Sequence, residues 1–286
     1  MPRVSLVVVP YELGRYREGV GCGPEHLLEL GAPEVLGANG AVVEVRALRL
    51  DPQWNASGSG EGDAAFELIR LVAAEVRRAR LAGALPVVLS GSCFAGVGVV
   101  AGLDEAVPGV VWFDSHGDFN EPTTTTEGYI DGMGLAILTG SAWQGMLGTV
   151  PGARPIPESY VVLAAARSFD PPEELRMRAS RIVQMNADAL GSPHKLVAAL
   201  AGLSPRITGL YVHIDLDVLD AATAQANLYT TPNGLNADQL DALITKLLET
   251  FPVHAISLTA YDPSFDRDDR VPPIALRVLR TVANHL

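Results

Sequence analysis

The sequence predicts an α/β fold in which helices cover both faces of a central, mostly parallel sheet. Short apolar, β-branched segments alternate with longer segments of helical periodicity along the 286 residues, and this alternation is typical of parallel sheets. The strand segments are apolar almost throughout, as expected for strands that are buried on both faces. Acidic motifs follow two of these segments directly, where the binding sites of such sheets form.

Eight segments are predicted as strands because each is short, apolar and rich in β-branched residues. In chain order they are Val4–Tyr11, Ala41–Val45, Pro86–Leu89, Gly109–Phe113, Tyr160–Ala164, Arg181–Gln184, Gly209–Ile214 and Val253–Leu258. Three longer segments are predicted as helices, namely Ala64–Ala82, Pro193–Gly202 and Asn236–Phe251. Ser192 is the expected N-cap of the second helix, with proline in its first position. We expect one α/β domain that covers residues 1–286.

The composition fits an enzyme and excludes several other classes of protein. The net charge of −12 argues against nucleic acid binding, which needs clustered Lys and Arg. No apolar run reaches the ~18 residues that a membrane span needs, and the N-terminal segment lacks the layout of a signal peptide. The two cysteines, Cys22 and Cys93, do not suggest a disulfide framework. We therefore expect a cytoplasmic protein that binds neither nucleic acid nor membranes.

Two acidic motifs predict a site for two metal ions. Acidic or histidine side chains alternate after two predicted strands: Asp114, His116 and Asp118 after the first, and Asp215 and Asp217 after the second, with Asp220 just beyond. Alternate side chains share a face of an extended segment, and carboxylate oxygens with an imidazole suit Mn²⁺. Each motif alone is also compatible with a capped loop or turn. Together, so many buried carboxylates would be costly without a compensating cation. His213 is predicted as a packed core histidine.

These motifs resemble those of the arginase/agmatinase (ureohydrolase) family. The resemblance is carried by Asp114-Ser-His-Gly-Asp-Phe-Asn120, by the threonines at 123–126 and by Asp215-Leu-Asp-Val-Leu-Asp220. It extends in collinear order to Gly19–Pro24, Leu89–Cys93 and Arg167–Glu173. The resemblance implies a three-layer α/β/α fold with an eight-stranded sheet and a dimanganese centre that hydrolyses guanidino compounds. It also implies a homo-oligomer, either a trimer or a hexamer.

The resemblance implies a role for each matching residue. The metal ligands would be Cys93, Asp114, His116, Asp118, Asp215 and Asp217, with Asp114 and Asp215 bridging both ions. The substrate would be held near Asn120, Glu127, Asp170 and Glu173. Asp217 would accept the proton of the nucleophilic water and then help to protonate the leaving amine, and Asp131 would assist as an acid. Asp220 would orient its loop or a residue that contacts a metal ligand.

Cys93 departs from the family, which has a histidine ligand at this position. A small buried thiol is one interpretation, because free cysteines are usually core residues. We favour a thiolate ligand, since Cys93 follows an apolar strand at the ligand position. Thiolate is soft and suits Zn²⁺ or Fe²⁺ better than Mn²⁺, so this site could prefer another divalent ion. In this substitution the chain is similar to the Nω-hydroxy-L-arginine hydrolases, which release hydroxyurea and L-ornithine.

Three further departures concern the substrate. Asp131 replaces the family's active-site histidine, and Ala260 stands where arginases have a glutamate that binds the guanidinium. Glu127 replaces a small hydroxyl residue that holds the α-carboxylate, and a like charge there disfavours that carboxylate. We expect a manganese-dependent hydrolase of a C–N bond in Nω-hydroxy-L-arginine or another modified guanidino or amidino compound, giving urea or hydroxyurea plus an amine. Two alternatives stay open: an arginase or agmatinase proper, and a catalytically inactive relative with a structural or regulatory role.

Overall fold

The eight predicted strands are all present and form one parallel sheet. The computed structural model of the chain describes residues 1–51, 60–103, 107–203 and 205–286. The strands are β1 (Arg3–Val9), β2 (Tyr11–Glu12), β3 (Arg15–Tyr16), β4 (Val42–Ala47), β5 (Leu85–Ser90), β6 (Pro108–Phe113), β7 (Val161–Ala164), β8 (Val183–Met185), β9 (Gly209–Asp215) and β10 (Val253–Thr259). The sheet order is β4-β1-β5-β10-β9-β6-β7-β8, and each neighbouring pair is parallel. Tyr11 was predicted in the first strand but lies in the separate β2–β3 hairpin.

Helices connect these strands and cover the sheet. They are α1 (Gly23–Glu29), α2 (Ala32–Gly37), α3 (Glu61–Leu81), α4 (Ala95–Gly102), α5 (Gly134–Leu138), α6 (Gln144–Leu147), α7 (Pro171–Ala179), α8 (Ala187–Leu190), α9 (Pro193–Ala201), α10 (Ala237–Thr250) and α11 (Val271–Ala283). The three predicted helices correspond to α3, α9 and α10. Ser192 is the N-cap of α9, although its side chain makes no capping hydrogen bond. Among the described helices, none is long and apolar enough to cross a membrane.

Two helices, α4 and α11, contain residues that ordinarily disfavour helix formation. In α11 these are Pro272 and Pro273, but both lie in the first turn, where a missing N–H costs no helical hydrogen bond. In α4 they are glycines, which have low helix propensity. Gly98 lets α4 approach α3 closely, because a Cβ there would lie 2.5 Å from the carbonyl oxygen of Ile69. Packing against α3 therefore holds α4 in place.

Two hydrophobic cores lie on opposite faces of the sheet. Along β1, Val7 and Val9 belong to one core, whereas Leu6 and Val8 belong to the other, as alternation along a strand requires. The first core includes the buried faces of α3 and α4, and the second includes those of α10 and α11. The predicted three-layer α/β/α architecture around an eight-stranded sheet is therefore confirmed.

The order of the strands determines where the predicted site residues lie. β5, β10, β9 and β6 are consecutive in the sheet, and because they are parallel their carboxyl ends form one edge. Cys93 follows β5, Asp114 follows β6 and Asp215 ends β9. This edge is the place where α/β sheets bind ligands. It also brings in the end of β10, which carries no acidic motif.

Candidate metal centre and active site

The six predicted metal ligands converge at this edge of the sheet. Five of them line a single pocket of about 270 Å³: Cys93, His116, Asp118, Asp215 and Asp217. Asp114 lies directly behind the pocket wall, with its Oδ1 3.4 Å from Nδ1 of His116. His116 Nδ1 is also 3.3 Å from Asp217 Oδ2. The two motifs, about a hundred residues apart in sequence, therefore form one cluster.

The same local turn holds the first residue of each motif. Asp114 Oδ1 accepts a hydrogen bond from the backbone N–H of His116 at 2.7 Å, two residues later. Asp215 Oδ1 accepts from the backbone N–H of Asp217, also at 2.7 Å. In each aspartate, one carboxylate oxygen thus stabilises the loop that follows it. Asp114 Oδ2 accepts from Trp112 Nε1 at 3.1 Å, whereas Asp215 Oδ2 faces Cys93.

Asp118 is the predicted ligand with an unpaired buried oxygen atom. Its side chain is buried, and among the described residues its Oδ2 has no hydrogen-bond partner. Its φ of 49° lies in the left-handed region, which is unusual for a residue other than glycine. Buried carboxylate oxygens are ordinarily paired. An unpaired carboxylate oxygen in a pocket with further carboxylates suits hard divalent cations, which prefer oxygen ligands.

The electrostatics of the cluster favour a cation in the same way. Burial, followed by the charges of neighbouring aspartates, raises the pKa values of Asp114, Asp118 and Asp215. Burial by itself would lower the pKa of His116, but the charge of Asp217 and the hydrogen bonds with Asp114 and Asp217 raise it to about 12. The carboxylates therefore repel one another and attract positive charge, so the donor set fits bound divalent metal.

Cys93 lies beside the predicted bridging ligand Asp215. Its Sγ is 2.9 Å from Asp215 Oδ2 and 3.0 Å from Thr259 Oγ1. Burial is the main cause that raises the pKa of the Cys93 thiol well above its usual range, and the charge of Asp215 adds to it. A metal ion between the sulfur and the carboxylate would replace the proton that they share. Ligation by Cys93 stays a prediction with compatible geometry.

His213 lies in the core, as predicted, but close to the site. Its ring stacks on Trp112 with centroids 3.5 Å apart and an interplanar angle of 10°. A ring nitrogen comes within 4.8 Å of ligand atoms of Cys93 and Asp114. Both nitrogens contact hydroxyl groups, and burial lowers its pKa to about 3. His213 is therefore neutral and lies behind the predicted ligands.

The predicted substrate residues form the outer wall of the pocket. Asn120 Nδ2 donates to Asp170 Oδ2 at 3.0 Å, and both residues line the pocket with the exposed Glu127. Glu173 is buried, and its two oxygens accept from the backbone N–H groups of Phe119 (2.8 Å) and Asp170 (3.2 Å). Glu173 thus caps the start of α7, which limits its capacity for direct substrate contacts.

Asp131 lies deeper than the outer wall and supports the turn that carries Cys93. Its Oδ1 accepts from the backbone N–H of Phe94 at 3.0 Å. Burial is the main cause that raises its pKa to about 7, which the Phe94 hydrogen bond opposes and the charge of Asp114 assists. Asp220, by contrast, lies outside the pocket lining and accepts from Ala222 N (2.8 Å) and Gly234 N (3.0 Å), in agreement with its predicted loop role.

Several pocket residues were not predicted from the sequence. Asn227 donates to the carbonyl oxygen of Ala260 at 2.8 Å and lies 3.4 Å from Asp217 Oδ2. Tyr229 was also not predicted, and it pairs at the pocket with Tyr129, with ring centroids 6.0 Å apart. One available signal was period-two alternation along β9 and β10, which places Thr259 and His213 on the ligand face. Asn227 and Tyr229 lie in an irregular loop that gives no such signal.

The described residues that line the pocket are strongly acidic. Seven are Asp or Glu, namely Asp118, Glu127, Asp131, Asp170, Glu173, Asp215 and Asp217. None of the described lining residues is Lys or Arg. Two bound divalent ions would neutralise only part of this charge. The remaining wall is suited to a substrate that carries positive charge.

Comparisons with known proteins agree with this geometry. The model of the arginase family matches residues 2–284. An arginase from Bacillus caldovelox is 28% identical over 292 residues, which cover 98% of this chain and 97% of the relative. The crystal structure of an arginase from Bacillus cereus has a TM-score of 0.87 at 23% identity and covers 98% of each chain. The formimidoylglutamase structure from Bacillus subtilis has a TM-score of 0.73 at 14% identity, covering 100% of this chain and 87% of that one.

These comparisons confirm the family and the enzyme class predicted from the sequence motifs. The family match spans nearly the whole chain, and the similar structures share the three-layer fold around the parallel sheet. The pocket described above lies at the sheet edge where the two aspartate motifs end. The chain belongs to the arginase family, whose members are metal-dependent hydrolases of guanidino and amidino compounds.

Proposed function

We propose that the protein is a manganese-dependent hydrolase of a C–N bond in a modified guanidino or amidino compound, with Nω-hydroxy-L-arginine as the first candidate. The residues proposed to hold two Mn²⁺ ions are Cys93, Asp114, His116, Asp118, Asp215 and Asp217. When bound, two divalent ions would lower the pKa of water at the site and so would supply a nucleophile near neutral pH. The soft sulfur of Cys93 makes one of the two positions open to another divalent ion.

The observation that carries the substrate proposal is Ala260. It lines the pocket and is 6% exposed, at the position where the resemblance to arginases places a guanidinium-binding glutamate. A guanidinium cation there would lack its ion-pair partner, and breaking a buried pair costs about 3–5 kcal/mol. A less basic group, such as an N-hydroxyguanidine, loses less from the missing carboxylate. This difference favours a modified guanidino group over that of plain arginine.

The outer wall bears on the other end of the substrate. Asp170 is half-buried and its carboxylate already accepts from Asn120 and Thr126, so it suits an ammonium group. Glu127 is exposed at the same wall and would repel a free α-carboxylate. This charge supports a second candidate, a guanidino amine without a carboxylate, such as agmatine.

The proposed proton transfers use Asp217 and Asp131. In the metal-free protein burial would raise the pKa of Asp217, but the adjacent His116 cation and its hydrogen bond keep that pKa well below the usual range, so Asp217 is ionised. Its carboxylate lines the pocket, where it faces the proposed position of the nucleophilic water. Asp131, with a pKa of about 7, is matched to general acid–base work near neutral pH. We assign proton acceptance from the nucleophilic water to Asp217 and delivery to the leaving amine to both groups.

Steady-state kinetics with competing substrates tests the proposal. We expect kcat/KM for Nω-hydroxy-L-arginine or agmatine to exceed that for L-arginine. Ala260→Glu should raise kcat/KM for L-arginine by ~10-fold or more, because it supplies the missing ion-pair partner. Ala260 already adopts a left-handed backbone conformation with a φ of 61°. A glutamate at this position therefore does not require a different backbone conformation. Ala260→Gln is the matched control of equal size without charge.

Two results would contradict the substrate proposal. One is a parent enzyme for which L-arginine has the highest kcat/KM of the panel, which would make it an arginase proper. The other is an equal response to Ala260→Glu and Ala260→Gln. Elemental analysis of the purified protein, done in parallel, decides the metal content. Bound metal without release of urea, hydroxyurea or ammonia from any guanidino compound would favour an inactive relative.

A further inference from the structure

A row of hydrogen-bonded side chains from β9 and β10 lies behind the pocket and ends at Cys93. Cys93 Sγ is 3.0 Å from Thr259 Oγ1, and Thr259 Oγ1 is 3.3 Å from His213 Nε2. His213 Nδ1 is 3.0 Å from the hydroxyls of both Tyr211 and Ser257. These side chains are at most 3% exposed. Water therefore has little access to the row, and its members depend on one another for hydrogen bonds.

The pairing of β9 with β10 produces this row. In the parallel register, His213 lies opposite Ser257 and Asp215 lies opposite Thr259. Period-two alternation places both pairs on the face that Cys93 approaches from the end of β5. The backbones of β9 and β10 thus fix the hydroxyl of Thr259 beside the sulfur.

Counting donors gives the direction of the hydrogen bonds. Tyr211 and Ser257 contact each other at 2.7 Å and both contact His213 Nδ1. One hydroxyl can donate its proton to the other, and the second proton then has Nδ1 as its acceptor. Because Nδ1 accepts, the ring proton of neutral His213 lies on Nε2. Nε2–H then donates to Thr259 Oγ1. The proton of Thr259 is left for Cys93 Sγ, or for the more distant carbonyl oxygen of Ile214 at 3.4 Å.

We propose that Thr259 is a positioning residue that donates a hydrogen bond to the sulfur of Cys93, oriented from behind by His213, and so directs the sulfur toward a bound metal ion. This inference rests on the proposed role of Cys93 as a ligand. The hydrogen bond withdraws charge from the sulfur and offsets the strong electron donation of a thiolate. Residues that orient a ligand in this way commonly contribute 10–100-fold to metal affinity.

The same row also reaches the acidic motif that begins with Asp114. The ring of His213 stacks on Trp112, 3.5 Å between centroids, and Trp112 Nε1 donates to Asp114 Oδ2 at 3.1 Å. His213 therefore packs against the residue that orients Asp114 while it contacts the hydroxyl that orients Cys93. One buried histidine thus supports ligands from two different strand ends.

Cobalt substitution provides the test, because a Co²⁺–thiolate bond has a near-ultraviolet charge-transfer band that carboxylate and imidazole ligands lack. Co²⁺ is titrated into metal-free parent protein, Thr259→Val, Thr259→Ser and Cys93→Ser. We expect the band in the parent and its absence in Cys93→Ser. In Thr259→Val the band should move to longer wavelength, because the sulfur lone pairs lose a stabilising hydrogen bond, and the affinity of that site should fall about 10–100-fold. Thr259→Ser, which keeps the hydroxyl, should behave like the parent.

Each outcome decides between distinct claims. No charge-transfer band in the parent would refute Cys93 as a ligand, and this inference with it. A parent band that is unchanged in position and affinity in Thr259→Val would overturn the role of Thr259 while Cys93 remains a ligand. Should Thr259→Val fail to fold, His213→Phe keeps a ring on Trp112 but removes Nε2. A smaller shift in the same direction is expected for His213→Phe, and an unshifted band would overturn the proposal.

Discussion

At the scale of single residues, the pocket concentrates negative charge that its own side chains balance only in part. His116 is the one basic side chain among the described lining residues, and it contacts both Asp114 and Asp217. Asp131 has no such partner, and its carboxylate depends on backbone N–H groups such as that of Phe94. Catalytic groups with shifted pKa values cluster where burial and like charges act together, which is the situation of Asp131.

Replacing Asp131 should change stability in a pH-dependent way. The pKa of Asp131 is raised from 3.8 to about 7 in the folded protein, so its favourable contribution is complete below the unfolded value and is lost as pH rises through 7. The unfolding free energies of Asp131→Asn and the parent are compared in the presence of a chelator. The advantage of the variant should be larger at pH 8 than at pH 5, by on the order of 1–3 kcal/mol. Urea unfolding at the two pH values measures this difference.

Asp220→Asn is the matched control for this experiment. Hydrogen bonds from backbone N–H groups, that of Ala222 first, lower the pKa of Asp220, so its contribution is present above its unfolded pKa and is lost as pH falls. The unfolding free energy of Asp220→Asn should therefore not exceed that of the parent at pH 8. An Asp131→Asn variant with the same advantage over the parent at both pH values would show that Asp131 does not carry the expected proton.

At the scale of elements, the site depends on loops that other elements hold in place. Arg167, in the loop after β7, is half-buried and donates to the carbonyl oxygens of Asp217, Leu219 and Thr231 at 3.0–3.2 Å. Arg167 begins the segment Arg167–Glu173, in which the resemblance places Asp170 and Glu173 near the substrate. The hydrogen bonds instead make it a clamp on the loop that carries Asp217, which the planar, multidentate guanidinium of arginine suits and lysine does not.

The contact between α3 and α4 gives a prediction about packing. A Cβ on Gly98 would lie 2.5 Å from the carbonyl oxygen of Ile69 and 2.9 Å from Cβ of Val72. Because both obstacles belong to a rigid helix, Gly98→Ala should lower the unfolding free energy by about 1–3 kcal/mol. Gly145→Ala is the control, since a Cβ there meets nothing within 4 Å. Equal thermal denaturation of the two variants would show that α4 can move away from α3.

At the scale of the whole molecule, the proposed ligands come from strands that are far apart in sequence. Cys93 follows β5, Asp114 follows β6 and Asp215 ends β9, so the set exists only when the sheet is assembled. One sheet also draws on strands from both ends of the chain, which supports our proposal of a single domain over residues 1–286. We likewise propose, from the family resemblance, that this domain assembles into a trimer or hexamer.

Metal binding should therefore stabilise the entire fold. A ligand that binds only the folded state adds about 2.7 kcal/mol at ~100 times its Kd, so Mn²⁺ should raise Tm and a chelator should lower it. The effect should be larger at pH 8 than at pH 6, because His116 and Asp215, with raised pKa values, must release protons to bind metal. Scanning calorimetry with and without Mn²⁺ at both pH values measures this.

Two variants separate specific binding from a general salt effect. Asp114→Asn should lose about one metal equivalent, as judged by elemental analysis, together with most of the Mn²⁺-dependent rise in Tm. Asp220→Asn, outside the pocket lining, should retain both. Full metal content in Asp114→Asn would contradict the bridging role of Asp114, and a Tm rise that is larger at pH 6 would contradict the proton release.

The sequence by itself determined the parallel α/β fold, the family and the set of aspartates at two strand ends. These features are local, because alternation along one strand or a motif after it is written in consecutive residues. The sequence also identified Cys93 and Ala260 as departures from the family pattern. It gave no account of what surrounds either residue.

The tertiary structure alone decided which side chains meet behind the proposed metal ligands. β10 carries no acidic motif, yet the sheet order places it between β5 and β9, so Thr259 reaches Cys93 and Ser257 reaches His213. Strand order depends on how helices pack on the two faces of the sheet, and no segment of the chain encodes it locally. For the same reason the capping role of Glu173 and the clamp formed by Arg167 became evident only once the loops were placed side by side.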